Sequence, residues 1–153
     1  MKVFLLAYHL LDKLPDDYFT REQEKNILVA ALFHDIGKGM WPQEWLTAPR
    51  RELKEKVWTS MQMHPIIGSE LLQGLGFESQ SVLDIIIQHH EKLNGSGYPD
   101  GIIPNKEALF LSTCDMLAAA TEDRQYRKAL SFNEALKELK EQIDPSVYQA
   151  IIS

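Results

Sequence analysis

The 153-residue chain has one cysteine, Cys114, so no intramolecular disulfide can form, and nothing points to an oxidising compartment. It lacks any apolar run of the ~18 residues that a membrane span requires. It lacks a basic excess: 22 Asp and Glu stand against 16 Lys and Arg, a net charge of −6. That balance argues against a broad nucleic-acid or anionic-membrane surface, so no DNA partner and no membrane insertion are expected. It also lacks repeats, low-complexity tracts and linkers, and no segment alternates cleanly enough to be a strand. What it has is 44% hydrophobic and 25% charged residues, enough for a buried core in one domain. The expected location is cytoplasmic.

The dominant period is helical. Met1 to Leu11 could be misread as a signal peptide, but His9 interrupts it and no small-residue cleavage site follows. It reads as a helix with an apolar side of Val3, Leu6, Leu10 and Leu14. That helix begins without a cap, so a longer natural protein is expected to extend upstream. Thr20 can cap a second helix carrying Ile27, Leu28, Ala31 and Leu32, ended by Gly37 and Gly39. A short amphipathic piece follows around Trp41 to Leu46, then a helix over 50–62 with Leu53, Val57 and Met61 four apart. Further helices are expected from Pro65 to Gly74, over 79–92, over 106–123 and over 131–143, with Ser131 and Glu134 as a capping box. Asp144-Pro145 starts a last one. Asn94 to Gly101 is the one strong loop, with three glycines and a proline in eight residues. The fold expected is all-α, a single domain over 1–153.

Four of the five histidines and two aspartates fall beside core-forming runs. His34-Asp35 ends an apolar helix, His64 lies 30 residues on at a helix break, and His89-His90 ends another apolar helix. Asp115 interrupts the apolar stretch Ala108 to Leu117. Each alone has a plain structural reading: helix-end residues, a satisfied core carboxylate. Together they would repeat the penalty of burying a polar group, which a shared metal site removes at once. Imidazoles with carboxylates suit Fe, Mn or Zn rather than Ca. Six donors exceed one tetrahedral ion, so two divalent ions are expected, with Asp35 able to bridge them. Two-metal sites clamp phosphoryl oxygens and activate water.

His34-Asp35-Ile36-Gly37-Lys38 resembles the signature of the HD-superfamily metal-dependent phosphohydrolases. His64-Pro65-Ile66-Ile67-Gly68 and the run from His89-His90-Glu91 to Gly95-Ser96-Gly97-Tyr98-Pro99 are similar to the further elements of its HD-GYP subfamily, as are Asp115 and Arg124-Gln125-Tyr126-Arg127. The resemblance covers about residues 27–145. It implies an HD-type helical bundle with a di- or tri-nuclear Fe or Mn site, and hydrolysis of a cyclic dinucleotide, usually cyclic di-GMP. It implies metal ligation by His34, Asp35, His64, His89, His90 and Asp115, with Asp35 bridging. It implies that Lys38 neutralises the scissile phosphate, and that Gly95, Gly97, Tyr98 and Pro99 shape the substrate pocket. Arg124 and Arg127 match the basic residues that hold phosphate and guanine. Family members often follow a receiver or sensor domain, or contact a signalling protein.

The chain departs from that pattern at named places. A further upstream His would fall at or before residue 1, and His9 is too close to replace it; His9 reads as a structural or surface histidine. Ala118 stands where a second Asp is usual, Asn94 where the loop has Asp, and Gln125 where a Pro separates the arginines. Two other readings therefore remain open: a weakly active or inactive cyclic-dinucleotide-binding or interaction module, and an HD phosphohydrolase acting on another nucleotide or phosphate ester. Trp41, Trp45 and Trp58 read as helix packing, with a partner surface as the alternative. Cys114 reads as a small buried residue rather than a nucleophile.

Overall fold

The computed structural model describes residues 1–123 and 128–153; its described residues contain helices, turns and loops and no strand. Helix α1 (Lys2–Leu11) buries Ala7 and Leu10 against α2 (Arg21–Phe33), which answers with Ile27, Ala30 and Ala31. The spacing of three and four puts these on single stripes, as helix packing requires. Thr20 caps α2 reciprocally: its hydroxyl accepts from Gln23 N at 3.3 Å, and Gln23 Oε1 accepts from Thr20 N at 2.9 Å. Ser131 and Glu134 form the same box before α8 (Phe132–Leu139). Asp144 caps α9 (Pro145–Ile152) through Ser146 N at 2.7 Å and Val147 N at 3.2 Å.

Helix α7 (Lys106–Ala120) is the centre of the molecule. Every residue from Ala108 to Cys114 is buried, as a helix apolar on all sides must be. α1, α2, α8 and α6 (Gln80–Gln88) pack around it. Phe110 meets Phe19 edge-to-face at 5.6 Å, and Val82, Leu83, Ile85 and Ile86 of α6 complete the core. Each such side chain contributes about 1.5–3 kcal/mol by leaving water. Cys114 is fully buried, as expected. Asp115 follows it, so a break within the apolar run delivers a carboxylate to the edge of the core.

Between α2 and α6 the chain runs through a 3-10 turn (Ile36–Met40), α3 (Gln43–Thr47), a second 3-10 turn (Arg50–Glu52), α4 (Glu55–Met61) and α5 (His64–Gly74). The expected helix over 50–62 is therefore split. Leu53 and Lys54 are extended, with ψ of 132° and 146°. The Leu53 carbonyl accepts from Arg50 Nη1 at 3.3 Å. The four-residue spacing of Leu53, Val57 and Met61 could not locate this break, because an extended pair beside a short helix keeps the apolar residues on one side. Among the described residues no helix is long and apolar enough to cross a membrane.

Candidate metal centre

Three helix ends converge on one point. His34 is the last residue of α2's hydrogen-bonded ladder and Asp35 follows it; His64 opens α5; His89 caps the end of α6 and His90 follows. Three of the histidines repeat one local device. His34 Nδ1 faces the Ala31 carbonyl at 3.0 Å, His64 Nδ1 the Met61 carbonyl at 2.8 Å, and His89 Nδ1 the Ile86 carbonyl at 2.6 Å. A carbonyl only accepts, so each Nδ1 carries a proton and donates it. In the neutral ring Nε2 is then a bare lone pair, and the backbone aims it.

These lone pairs meet one another. His64 Nε2 and His89 Nε2 are 3.4 Å apart. Asp35 Oδ1 lies 3.4 Å from His64 Nε2 and 3.8 Å from His89 Nε2; Oδ2 lies 3.5 Å from His34 Nε2. Asp115 Oδ1 is 3.8 Å from His34 Nε2. The buried Nε2 atoms of His34 and His90 have no hydrogen-bond partner. Donor atoms of Asp35, His64, His89 and His90 all lie within 4.8 Å of one another. Neutral imidazole lone pairs facing each other and a carboxylate repel unless a cation lies between them.

The ionisation states agree with that reading. Burial, then the neighbouring His34 ring, pushes His89 down to about 3. Burial, then His89 and His64, holds His90 well below the ordinary histidine range. Both rings are therefore neutral and ligand-ready near neutral pH. Burial opposes ionisation of Asp35, but the groups that face it, His64, then Lys38 and His34, outweigh burial and hold the carboxyl well below the carboxylate range. Lys38 Nζ sits 2.7 Å from Asp35 Oδ1, one 3-10 turn away. The set of buried imidazoles and carboxylates fits a divalent ion of the Fe, Mn or Zn kind.

The surrounding loop is held from beneath. Glu91 is 1% exposed, and its carboxylate accepts from three successive backbone groups: Asp100 N and Gly101 N on Oε1 at 2.7 and 3.0 Å, and Ile102 N on Oε2 at 3.2 Å. Gly97 presses on the same turn, where an added Cβ would lie 2.4 Å from Glu91 Cα. The result places Tyr98 in a stack on His90, with ring centroids 4.7 Å apart at 30°. Burial, then Asp35 and Asp115, raises the Tyr98 hydroxyl above the ordinary tyrosine range, so it remains a neutral hydrogen-bond donor.

A cavity of about 890 Å³ opens over the cluster, lined by His34, Asp35, Lys38, His64, His90, Tyr98 and Asp115. Ala118, where a carboxylate is usual in the resembling family, lines it as well. Gly95 has φ of +69° and lies against Gly101 across the loop; Pro99 follows Tyr98. Arg124 and Arg127 lie outside the described residues. Glu91 stood in the sequence motif without a role, and its one signal there was a carboxylate directly after two candidate ligands. Trp45 and Trp58, read from the sequence as helix packing with a partner surface as the alternative, both line this cavity, together with Arg50. His9 is exposed and apart from the cluster.

Residues 13–148 match the HD domain family. The chain is 32% identical over 130 residues to a cyclic di-GMP phosphodiesterase of Pseudomonas aeruginosa, covering 81% of this chain and 31% of that protein. It is 30% identical over 162 residues to a 3'3'-cGAMP-specific phosphodiesterase of Vibrio cholerae, covering 99% and 36%. It thus spans about a third of the length of these curated relatives. In fold it is similar to Bd1817, an HDG"Y"P protein from Bdellovibrio bacteriovorus, with a TM-score of 0.75 at 22% identity over 97% of this chain and 48% of that one. The chain belongs to the HD domain family.

Proposed function

We propose that residues 1–153 act as one HD-GYP unit, a metal-dependent phosphodiesterase that hydrolyses a cyclic dinucleotide, cyclic di-GMP first among them. The observation that carries this reading is the repeated Nδ1-to-carbonyl anchoring of His34, His64 and His89, which turns three lone pairs onto Asp35. His34, Asp35, His64, His89, His90 and Asp115 would hold two divalent ions, Fe or Mn, with Asp35 offering one oxygen toward His64 and His89 and the other toward His34. When bound, such ions supply Lewis acidity to a phosphodiester and lower the pKa of an attacking water.

The chain's own groups do the rest. Lys38, poised on Asp35, balances negative charge gathering on the non-bridging phosphate oxygens. Tyr98, neutral and fixed on His90, donates a hydrogen bond into the cavity. Arg124 and Arg127 remain assigned to the phosphate and guanine, by resemblance. No Ser or Cys nucleophile is required. The relatives named for cyclic di-GMP and for cGAMP support a cyclic dinucleotide.

The test is hydrolysis of cyclic di-GMP by protein loaded with Mn or Fe. Release of the linear dinucleotide, lost on His64→Ala, supports the reading. Tight binding without product over long incubation would favour a binding module instead, the reading to which Ala118 in the cavity wall lends weight.

A further inference from the structure

The cavity lining holds two chemically different sets of side chains. One is the metal-ligand candidates and Lys38; the other is aromatic and apolar, with Trp45, Leu53 and Trp58. Arg50 lines the cavity beside the second set. Its guanidinium carbon lies over the Trp58 ring at 4.8 Å from the centroid. It is fixed there by Leu53 O at 3.3 Å and by an ion pair with Glu55. Glu55 offsets the charge of Arg50, so what Arg50 offers a ligand is a flat plane more than a fork for anions. Trp58 is only partly buried, an indole facing a cavity rather than the core. A ligand that satisfies both sets has a phosphodiester and a flat, weakly polar ring.

The distance suits such a ligand. From Trp58 to Met61 the helix rises only ~4.5 Å, and three more residues reach His64, so the two Cα atoms are at most ~15 Å apart. A cavity of this size is in the range that encloses a ligand of several hundred daltons.

We propose that Arg50 and Trp58 form the seat for one purine base of the cyclic dinucleotide, Trp58 by stacking and Arg50 by fixing the orientation of the indole. The proposal rests on the function proposed above, and its purine-binding part can be read separately. Stacking of a base on an aromatic or guanidinium plane is sequence-tolerant, so this seat would serve guanine and adenine alike.

The test compares wild type, Trp58→Leu, Trp58→Phe and Arg50→Ala, each Mn-loaded and checked for equal metal content. Two readouts are taken: KM and kcat for cyclic di-GMP, and Kd for guanosine, which has no phosphate to engage the metals. The expected result is a rise of about tenfold or more in KM and in guanosine Kd for Trp58→Leu, with kcat within about threefold. Trp58→Phe, which keeps a flat ring, should recover most of the affinity, and Arg50→Ala should fall between. Unchanged KM and guanosine Kd in both Trp58→Leu and Arg50→Ala would overturn the proposal. So would a loss in kcat alone, which would mark a merely structural effect on the metal centre. Wild type that binds guanosine through Trp58 but neither binds nor cleaves cyclic di-GMP would end the cyclic-dinucleotide reading and uphold a purine seat. Wild type that binds neither would overturn both.

Discussion

Gly37 rests directly on the backbone of His64: a Cβ added to Gly37 would lie 2.1 Å from the His64 carbonyl oxygen and 2.8 Å from Gly68 N. Gly68 is tight in return, its own added Cβ falling 3.2 Å from Ile36 Cγ2. Two glycines 31 residues apart in the sequence thus let the turn after Asp35 lie on the first turn of α5. Since Asp35 and His64 stand at the two sides of this contact, their 3.4 Å approach depends on it. Gly37→Ala forces the two backbones apart. The expected cost is about 2 kcal/mol or more of stability, with a loss of Mn affinity, while the neighbouring Gly39→Ala, which meets nothing within 4 Å, leaves both nearly unchanged. Thermal unfolding with and without Mn checks both.

Glu91 does by hydrogen bonding what Gly37 does by absence. Glu91→Ala strands three backbone N–H groups in a partly buried loop, at roughly 1–3 kcal/mol for each group left unsatisfied. Water entering the space will offset part of this. The amides of Asp100, Gly101 and Ile102 should exchange hydrogen much faster in the variant, ahead of any change in the amides of α7. Equal acceleration everywhere would mean global destabilisation and no special hold on the loop.

Metal should stabilise the folded chain by mass action. At about a hundred times its Kd, an ion that binds only the native state adds about 2.7 kcal/mol. The melting temperature should therefore rise with Mn and return on adding chelator. His64→Ala should show no such rise, whatever its own melting temperature.

Alkaline stability is set in part far from the metal centre. Burial, then the charge of Asp144, raises Tyr18 to about 12, and its hydroxyl lies 3.3 Å from Asp144 Oδ1. Between pH 10 and 12 the unfolded chain releases this proton and the folded chain keeps it, so stability falls as pH rises through that window. Below pH 10 the group contributes no slope. Tyr18→Phe should flatten the decline in melting temperature between pH 10 and 12 and leave the curve at pH 7–9 parallel to wild type.

The sequence was most legible where one residue type carries a cost that only one arrangement removes. His34, His64, His89, His90 and Asp115 stood out because each is expensive beside an apolar run, and the structure brings them together around Asp35. Thr20 and Ser131 were legible as caps because capping is local. Glu91 was not, because its partners are backbone groups nine to eleven residues on, which no periodicity reveals. The contact of Arg50 with Trp58 was hidden by a helix drawn through Leu53 and Lys54, where the extended pair lies between them. The role of Gly37 was half legible: a glycine after the ligands read as a helix stop, while its contact with Gly68 exists only in three dimensions.

The most direct measurement is elemental analysis of protein purified without chelator and without air. Two or more equivalents of Fe or Mn per chain are predicted, falling below one in His64→Ala. One equivalent or less in wild type, unchanged after anaerobic reconstitution, would contradict a two-ion centre built on Asp35.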